Sequence, residues 1–440
     1  LTSDPGVIEV NLPPASDWLQ FERYIDGMYQ CADNVGLRSF KYQLSGREVG
    51  SGGGTHIVIG GPDIERNPFI EKPSLLSSFL RFLQHHPSLS FAFSGLFIGP
   101  SSQAPRVDES AYELPYELEI TLRAIEEMAE PGSPEEMDAL LRNLLMDWNG
   151  NTHRAELSVD KFYNYNAPNG QNGLVEFRAF EMMPKATMLL AANVLIRALA
   201  ACFAEKAFTS PLIDWREALH DKYALPYFLE EDLAAVLAYL NDHGFSFSES
   251  VFSEQIDFRF PEVINFDTEG FQWTLRQALE PWPVMGEHEG TGRVVDSTTD
   301  RLELRVSGGD RDSGADAYVV SVNGIEMPMI EVSDQIRVGA IRYRLFDNPW
   351  GLQPQIKAHT PLEIRIVDSA TGKIVYAIDY ANWTRDKDGY DRPPETQQEA
   401  RRRVEERLSS RDDLIGHELG LPKKIMASPH APYTLDLRRV

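Results

Sequence analysis

The sequence predicts an α+β fold over residues 1–290, followed by a smaller all-β domain over 291–383 and a polar helical or irregular tail over 384–440. Three observations predict this organisation. Short β-rich runs alternate with helically spaced apolar residues in the first region. Apolar and polar residues alternate with period two in the second region, and the third region is polar. With 440 residues and 42% apolar content, the chain is long enough for more than one buried core.

The elements of the first region follow from the spacing of their apolar residues. Strands are predicted over 6–12 and 174–180, and residues 51–61 are predicted to form a glycine-rich turn that leads into a third strand. Helices are predicted over 18–34, 73–85, 116–130 and 184–208, with two more between 215 and 240. The stretch from Met188 to Ala204 is the most apolar, but Asn193 and Arg197 interrupt it, which predicts a core helix rather than a membrane span.

The second region is predicted to consist of antiparallel strands joined by tight turns. Four runs alternate apolar and polar residues: RLELRVSGG, AYVVSVNGIEM, IRVGAIRYRLF and LEIRIVDSATGKIVYAIDY. The dipeptides that begin at Asn323 and Thr371 end in glycine and suit hairpin turns. We therefore expect a separate antiparallel β-domain.

The acidic composition of the chain limits its partners. Lysine and arginine number 42 against 67 aspartate and glutamate residues, so the formal net charge is −25. Nucleic acid phosphates and anionic membrane surfaces would be repelled, so we expect neither as a partner. The two cysteines, Cys31 and Cys202, cannot form a disulfide framework, and this composition indicates a cytoplasmic protein.

Three of the predicted strands contain ionisable residues among apolar ones. These residues are Glu9 in GVIEVN, His56 in GGGTHIVIGG, and Glu176 with Arg178 in LVEFRAFE. Because residues i and i+2 of a strand share a face, Glu176 and Arg178 project from one side, while the intervening apolar residues face the other. Carboxylate and imidazole groups are typical ligands of divalent cations, and arginines bind phosphate or carboxylate.

Each of these residues also has a structural interpretation. Glu176 and Arg178 could form only a salt bridge on a solvated sheet face, and Glu9 could be a solvent-facing strand residue. His56 could be a hydrogen-bonded structural histidine, and Gly52 to Gly54 could form only a flexible turn. No single element is specific, so the prediction of a site rests on the ordered set.

The order of these motifs resembles that of glutamine synthetases. DPGVIEVN is similar to their strand with a metal-binding glutamate, and GSGGGTHIVIGG to their glycine-rich segment with a metal-binding histidine. LVEFRAFE resembles their Glu-x-Arg strand. SSQAPRVDES and GNTHRAE resemble their segments with phosphate-contacting arginines.

A longer part of the chain, roughly residues 1–380, resembles a bacterial family of amidoligases. The matching segments include LTSDPGVIEVN, LRNLLMDWNGNTHRAEL and LRQALEPWPVMGE. Members of this family are often attached to or encoded beside transglutaminase-like proteins. The two resemblances together imply a glutamine synthetase-like antiparallel sheet, with helices against its outer face and the reactive groups on its concave face.

The resemblance implies two groups of site residues. Glu9 would ligate one divalent ion, and His56 with Glu176 would ligate the other. The remaining residues would contact the substrates: Gly52, Gly53 and Gly54 the nucleotide, Arg106 and Arg154 the transferring phosphoryl group, and Arg178 the substrate carboxylate or the phosphate formed from it.

These roles imply an ATP-dependent carboxylate-amine ligase that forms an amide or peptide bond through an acyl phosphate. ATP and Mg²⁺ would be its cofactors, with Mn²⁺ as an alternative because histidine is an uncommon magnesium ligand. Its substrates would be small-molecule or peptide carboxylates and amines, and a transglutaminase-like protein or fused domain would be its partner. The candidate bases for deprotonating the amine are Glu181 and Glu156.

Two other functions remain open at this level. Members of the family have further metal-binding glutamates on strands before the one with Glu9, so we expect the first strands to be missing from this chain. The chain would then be a catalytically incomplete nucleotide- or peptide-binding module. A metal-dependent hydrolase would reuse the same ions. ADP release that requires both a carboxylate and an amine would separate the three functions.

Overall fold

The computed structural model describes residues 2–4, 7–96, 99, 106–109, 115–147, 150–166, 168, 170–288, 292–308, 317–382, 390–426 and 428–440. The chain forms two compact units. The first unit comprises Leu1–Lys41, Val49–Trp215 and Leu229–Arg259, and the second comprises Tyr42–Glu48, Arg216–Phe228 and Phe260–Val440. Helices and strands occur in both units, which confirms the predicted α+β class.

The helices and strands are numbered in chain order. The helices are α1 Trp18–Asn34, α2 Pro68–Glu71, α3 Ser74–His85, α4 Ser88–Phe91, α5 Tyr116–Glu126, α6 Pro134–Leu141, α7 Ala186–Glu205, α8 Ala218–Asp221, α9 Pro226–Asp242, α10 Ser253–Arg259 and α11 Gln397–Glu406. The strands are β1 Thr2–Asp4, β2 Val7–Glu9, β3 Phe40–Tyr42, β4 Glu48–Gly50, β5 Ile57–Ile59, β6 Leu157–Ser158, β7 Val175–Phe177, β8 Glu262–Thr268, β9 Phe271–Gln277, β10 Val284–His288, β11 Gly292–Val295, β12 Thr299–Gly308, β13 Tyr318–Val322, β14 Ile325–Glu326, β15 Ile330–Ser333, β16 Ile336–Arg344, β17 Leu362–Asp368, β18 Ile374–Tyr380, β19 Leu408–Ser410 and β20 Thr434–Asp436.

The core of the first unit forms where α3 packs against α7. Phe79 of α3 contacts Phe203 of α7 edge to face, with ring centroids 5.1 Å apart, and both side chains are fully buried. Among the described residues, α7 is the one helix long and apolar enough to cross a membrane. Of its most apolar stretch of 18 residues, 56% is buried inside the protein. Its packing against α3 agrees with the core helix that Asn193 and Arg197 predict.

A three-stranded antiparallel sheet with the order β5-β7-β6 presents the predicted charged face. Glu176 in the central strand β7 lies opposite Val58 of β5 and Ser158 of β6. The next residue, Phe177, is buried on the other face, where its ring centroid lies 4.9 Å from that of Phe79 in α3. Alternation along β7 therefore separates the charged side chains from the helix-covered core.

The segment that contains Glu9 belongs to a different sheet. The strands β1 and β2 pair with each other as a two-stranded antiparallel ribbon, and within the described chain they join no further strand. Ile8, Glu9 and Val10 are all exposed, while Gly6 lies outside the described residues. The predicted strand over 6–12 is shorter in the structure, where β2 spans Val7–Glu9, and its exposure agrees with the solvent-facing interpretation of Glu9. A run of β-branched residues favours a strand, but long-range packing decides whether the strand is covered.

The second unit is built on two sheets. One has the order β15-β16-β12-β9-β8, with β20 parallel to β16, and the other has the order β14-β13-β17-β18-β19. Side chains from both sheets, including Trp273, Ile341 and Ile366, form one apolar core. Asn323 and Gly324 connect β13 to β14 with φ values of +51° and +80°, which confirms the predicted hairpin turn.

The limits of the β-rich unit differ from the predicted ones. Strands β8 and β9 precede residue 291 but belong to this unit, because β9 pairs with β12 along its whole length. The last part of the chain adds α11, β19 and β20, and it buries Leu435 and Leu437 in the core. The residues next to the predicted boundaries, 290 and 291 and also 383 and 384, lie outside the described part.

Candidate functional site

The charged face of the three-stranded sheet holds four side chains that we call the Glu176 cluster: Glu176, His56, Lys161 and Arg178. Glu176 lies in β7, and Arg178 is the first residue after that strand. Because the two residues are two positions apart in extended chain, their side chains share a face. His56 immediately precedes β5, and Lys161 lies in the connection from β6 to β7. Antiparallel pairing thus brings together residues that are 122 positions apart in the chain, such as His56 and Arg178.

Three basic groups approach one oxygen atom of Glu176. Its Oε1 lies 2.8 Å from His56 Nδ1, 3.2 Å from Arg178 Nη1 and 3.3 Å from Lys161 Nζ. Burial raises the pKa of Glu176, but the hydrogen bond from His56 and the charges of Arg178 and Lys161 outweigh burial. The pKa of Glu176 therefore lies well below its usual range, and the carboxylate is charged at neutral pH.

Two members of the cluster, His56 and Lys161, are accessible to solvent. The side chains of His56 and Lys161 are 28% and 45% exposed, whereas Glu176 is almost fully buried. A small ligand can therefore reach His56 and Lys161 without rearrangement of the sheet.

The contact with Glu176 defines the hydrogen-bonding state of His56. Nδ1 lies 2.8 Å from Glu176 Oε1, which only accepts, and 3.5 Å from Arg178 Nη1, which only donates, so the shorter contact favours the proton on Nδ1. The other ring nitrogen, Nε2, is buried without a hydrogen-bond partner among the described residues. In a neutral imidazole this nitrogen keeps its lone pair, as it does in histidines that a carboxylate orients toward a metal or a proton.

Positive charge exceeds negative charge in the cluster. Lys161 and Arg178 each contribute +1 and Glu176 contributes −1, so the sum is +1 when His56 is neutral. Arg178 Nε is also buried without a hydrogen-bond partner in the described part of the chain. Such a donor raises the free energy of the protein by about 1–3 kcal/mol, and an incoming acceptor would remove that cost. The cluster therefore suits an anion.

A divalent cation fits the same residues poorly. The described residues contain no group of three or more His, Cys, Asp or Glu side chains that could hold a metal ion, so Glu9 does not complete a site with His56 and Glu176. Two protein cations already surround Glu176 Oε1 and would repel a metal ion there. One nitrogen ligand from His56 does not suffice to hold a divalent ion. These protein groups therefore do not form the expected metal site on their own.

Arg106 lies in a separate buried network of four side chains that we call the Arg106 network: Arg106, Asp108, Glu156 and Ser90. Arg106 is 0% exposed, and all five of its N–H groups donate to protein oxygens. Nε and Nη2 bind Asp108 at 3.0 and 3.1 Å, Nη1 binds Ser90 at 3.2 Å, and two main-chain carbonyls of α3 accept the remaining bonds. The expected phosphoryl contact has no support in this geometry, because a phosphate would have to displace a protein acceptor.

Two more predicted residues are also engaged by the protein. Burial raises the pKa of Glu156, although the charge of Arg106 opposes this, and its carboxylate accepts hydrogen bonds from Ser90 Oγ and the Val107 amide. This enclosure gives no support to Glu156 as the catalytic base. Arg154 is at the end of a short 3-10 helix, and its Nη1 lies 3.4 Å from Asp147. Its phosphoryl contact stays a prediction.

The glycine-rich segment has structural reasons for its composition. Gly52 has a φ of +104°, in the region that favours glycine. A Cβ on Gly53 would lie 3.1 Å from Val7 Cγ1. Gly54 forms an isolated antiparallel bridge with Glu181 beyond the end of β7. An approach of this backbone to a nucleotide stays a prediction.

Glu181, the other candidate base, is buried against two glycines. Its carboxyl group occupies the space that a Cβ would need on Gly50 and on Gly95. Both positions therefore require glycine as long as Glu181 keeps this conformation. The proton-accepting role of Glu181 is untested.

Lys161 is the one member of the cluster that the motifs did not indicate. Its surroundings, VDKFYNYN, have no spacing typical of a catalytic motif, and only the pairing of β6 with β7 places it beside Glu176. Two predicted segments are described only in part. Residues 101–105 and 110 of SSQAPRVDES, and residues 148 and 149 before GNTHRAE, lie outside the described residues.

Comparison with known proteins identifies a family. A family model with the description "Putative amidoligase enzyme (DUF2126)" matches residues 1–438, which include both units and every member of the Glu176 cluster. No curated protein and no solved structure matches the chain significantly. Because the family match covers nearly the whole chain, the protein belongs to the family of that description.

Proposed function

We propose that this protein is an ATP-dependent carboxylate-amine ligase that joins a small-molecule or peptide carboxylate to an amine. Its membership of an amidoligase family supports the ligase class. The observation that supports the chemistry is the excess of positive charge in the Glu176 cluster, together with a buried donor on Arg178 that has no partner in the described part of the chain. Both proposed substrates, a carboxylate and a nucleoside triphosphate, are anions that such a cluster attracts.

The proposed reaction has two steps. A carboxylate oxygen attacks the γ-phosphorus of ATP, the bond from that phosphorus to the β,γ-bridging oxygen breaks, and ADP leaves. The amine nitrogen then attacks the carbonyl carbon of the acyl phosphate, the bond from carbon to the phosphate oxygen breaks, and the nitrogen loses a proton. The first step brings two negatively charged groups together, and in the second step negative charge develops on the carbonyl oxygen and the leaving phosphate. Positioned cationic side chains therefore lower both barriers.

In this proposal Arg178 contacts the carboxylate or the phosphoryl group formed from it. Glu176 orients Arg178 and His56 through its Oε1. Mg²⁺ or Mn²⁺ would arrive with the ATP phosphates, which supply oxygen ligands to such an ion themselves. A glutamine synthetase-like sheet and a transglutaminase-like partner or fused domain belong to the same proposal.

The test supplies purified protein with ATP, Mg²⁺ or Mn²⁺, and mixtures of carboxylates and amines. We expect ADP release only when a carboxylate and an amine are both present, and we expect ¹⁸O from a labelled carboxylate to appear in the phosphate. The Lys185→Gln variant is the control, because the side chain of Lys185 forms an exposed ion pair with Glu254. Product formation without ATP would instead indicate a hydrolase, and ADP release independent of the carboxylate would contradict the ligase.

A second candidate is a nucleotide- or peptide-binding module without turnover. The observation that favours it is that the described residues contain no three-ligand metal group and leave Glu9 on an exposed ribbon. This candidate predicts saturable binding of ATP and no ADP release with any pair of carboxylate and amine. The ligase assay therefore distinguishes the two candidates directly.

A further inference from the structure

We propose that Lys161 is a substrate-binding residue that forms, together with Arg178, a seat for one oxyanion group of the reactants. That group is the substrate carboxylate or the phosphoryl group transferred from ATP. The inference rests on the proposed ligase function and adds a residue that neither the motifs nor the family description indicates. Glu176 acts as the internal counter-ion of the seat.

The main chain at Lys161 is held in place by the strand that returns to the sheet. The carbonyl oxygen of Lys161 accepts hydrogen bonds from the amides of Asn172 at 3.1 Å and Leu174 at 3.2 Å, directly before β7 begins. The side chain extends from this anchored position to Glu176, with Nζ 3.3 Å from Oε1, and is 45% exposed. Its ammonium group can therefore turn toward a ligand while its backbone stays fixed.

The charges explain why the seat takes an anion. One carboxylate oxygen is shared by Lys161, Arg178 and His56, so the two permanent cations outnumber the single carboxylate. Arg178 is more than nine-tenths buried, and its Nε has no acceptor among the residues that the structure describes. An oxyanion offers several acceptor oxygens, so it can bind both cations and neutralise the excess charge.

An ordinary surface ion pair does not have these properties. Lys185 and Glu254 form such a pair in the same unit, with side chains 60% and 51% exposed and one cation for one carboxylate. A surface pair of this kind contributes little and has no excess charge to offer a ligand. Lys185 is therefore the matched control for Lys161.

The experiment measures binding of inorganic phosphate and, separately, of acetate to the full chain by calorimetry. The variants are Lys161→Gln, Lys161→Arg and Lys185→Gln, each checked by thermal unfolding. We expect Lys161→Gln to weaken binding of at least one probe about tenfold, as expected for the loss of one hydrogen bond to a charged group. Lys161→Arg should keep most of the affinity, and Lys185→Gln should bind like the unaltered protein.

The probe that loses affinity identifies the source of the oxyanion, phosphate for the phosphoryl group and acetate for the carboxylate. The proposal is overturned if the unaltered protein binds neither probe, or if Lys161→Gln binds both as well as the unaltered protein. Glu176→Gln offers a second check, because removal of the internal counter-ion should tighten anion binding. Weaker anion binding in that variant would contradict the seat.

Failure of the seat and failure of the ligase function are separable. If turnover is observed and Lys161→Gln leaves the KM of both the carboxylate and ATP unchanged, the seat is wrong and the ligase stands. If no turnover is observed but phosphate or acetate binding depends on Lys161, the seat stands and the ligase is wrong. A change in KM larger than the change in kcat would show that Lys161 binds substrate rather than supports the fold.

Discussion

Two buried arginines of the first unit have different surroundings. Arg106 is 0% exposed, and all of its N–H groups donate to protein oxygens. Arg178 is 8% exposed, yet its Nε has no partner among the described residues, and it shares one carboxylate oxygen with two other basic side chains. The first arginine completes a closed network, and the second belongs to an open one.

The difference shows that burial does not by itself determine how an arginine side chain is paired. What distinguishes the two arginines is the match between donors and acceptors and the balance of charge. In the Arg106 network, Asp108 pairs with the guanidinium group and burial favours the neutral form of Glu156. In the Glu176 cluster, two cations share one carboxylate. The comparison can be tested by variants that affect the two sites in opposite ways.

The largest expected effect on stability is that of Arg106→Met. This change leaves Asp108, whose side chain is 8% exposed, without its cation, which should lower the free energy of unfolding by about 3–5 kcal/mol. Urea unfolding measures the effect. Arg123→Met is the control, because the Arg123 side chain is 65% exposed and its ion pair with Glu119 should contribute no more than about 1 kcal/mol. Similar losses in the two variants would contradict a structural role for Arg106.

The next effect is that of Arg178→Gln on activity rather than on stability. Glu176 keeps His56 and Lys161 as partners in this variant, so its free energy of unfolding should change far less than that of Arg106→Met. The kcat/KM of the ligase reaction should fall about 10²–10³-fold, as for the loss of one contact to the charge that develops in the transition state. Steady-state kinetics measure the fall in kcat/KM. A loss of stability with unchanged kcat/KM would instead indicate that Arg178 supports the fold.

A smaller effect should follow from Ser90→Ala in the closed network. Ser90 Oγ donates to Glu156 and accepts from Arg106 Nη1 at 3.2 Å, so its removal should lower the free energy of unfolding by about 1–2 kcal/mol. Ser88 is a matched control in the same helix, since its buried Oγ has no partner within the described chain. Ser88→Ala should change stability much less, and equal effects would argue against the network.

The smallest effect is a difference in pH dependence between two buried glutamates. The pKa of Glu176 is lowered, so its contribution to stability is present above its unfolded pKa near 4.5 and is lost as pH falls through its folded pKa. The pKa of Glu156 is raised, so its contribution is present below 4.5 and is lost as pH rises through its folded pKa.

Urea unfolding between acidic and neutral pH tests this difference through two isosteric variants. Glu176→Gln should remove part of the loss of stability toward acid, and Glu156→Gln should remove part of the loss toward neutral pH. Slopes that change in the same direction in both variants would contradict the assigned environments.

Several features of the fold and the site could be predicted from local pattern. Glu176 and Arg178 share a face because they are two residues apart in a strand, and period two is a property of the extended backbone itself. The turn at Asn323 and Gly324 was predictable because asparagine and glycine adopt positive φ values more readily than other residues. Asn193 interrupts the apolar residues of α7, and this local feature predicted a core helix rather than a membrane span.

The sequence by itself therefore determined the α+β class, the family and the charged face of β7, because each depends on residue identity and short spacing. Only the tertiary structure decided that Arg106 is enclosed, that Glu9 lies on an exposed ribbon, and that Lys161 reaches Glu176. Burial and charge pairing depend on which distant segments pack together. No spacing along the chain contains that information, because hydrogen-bond partners and solvent exclusion arise from contacts between strands and helices far apart in sequence.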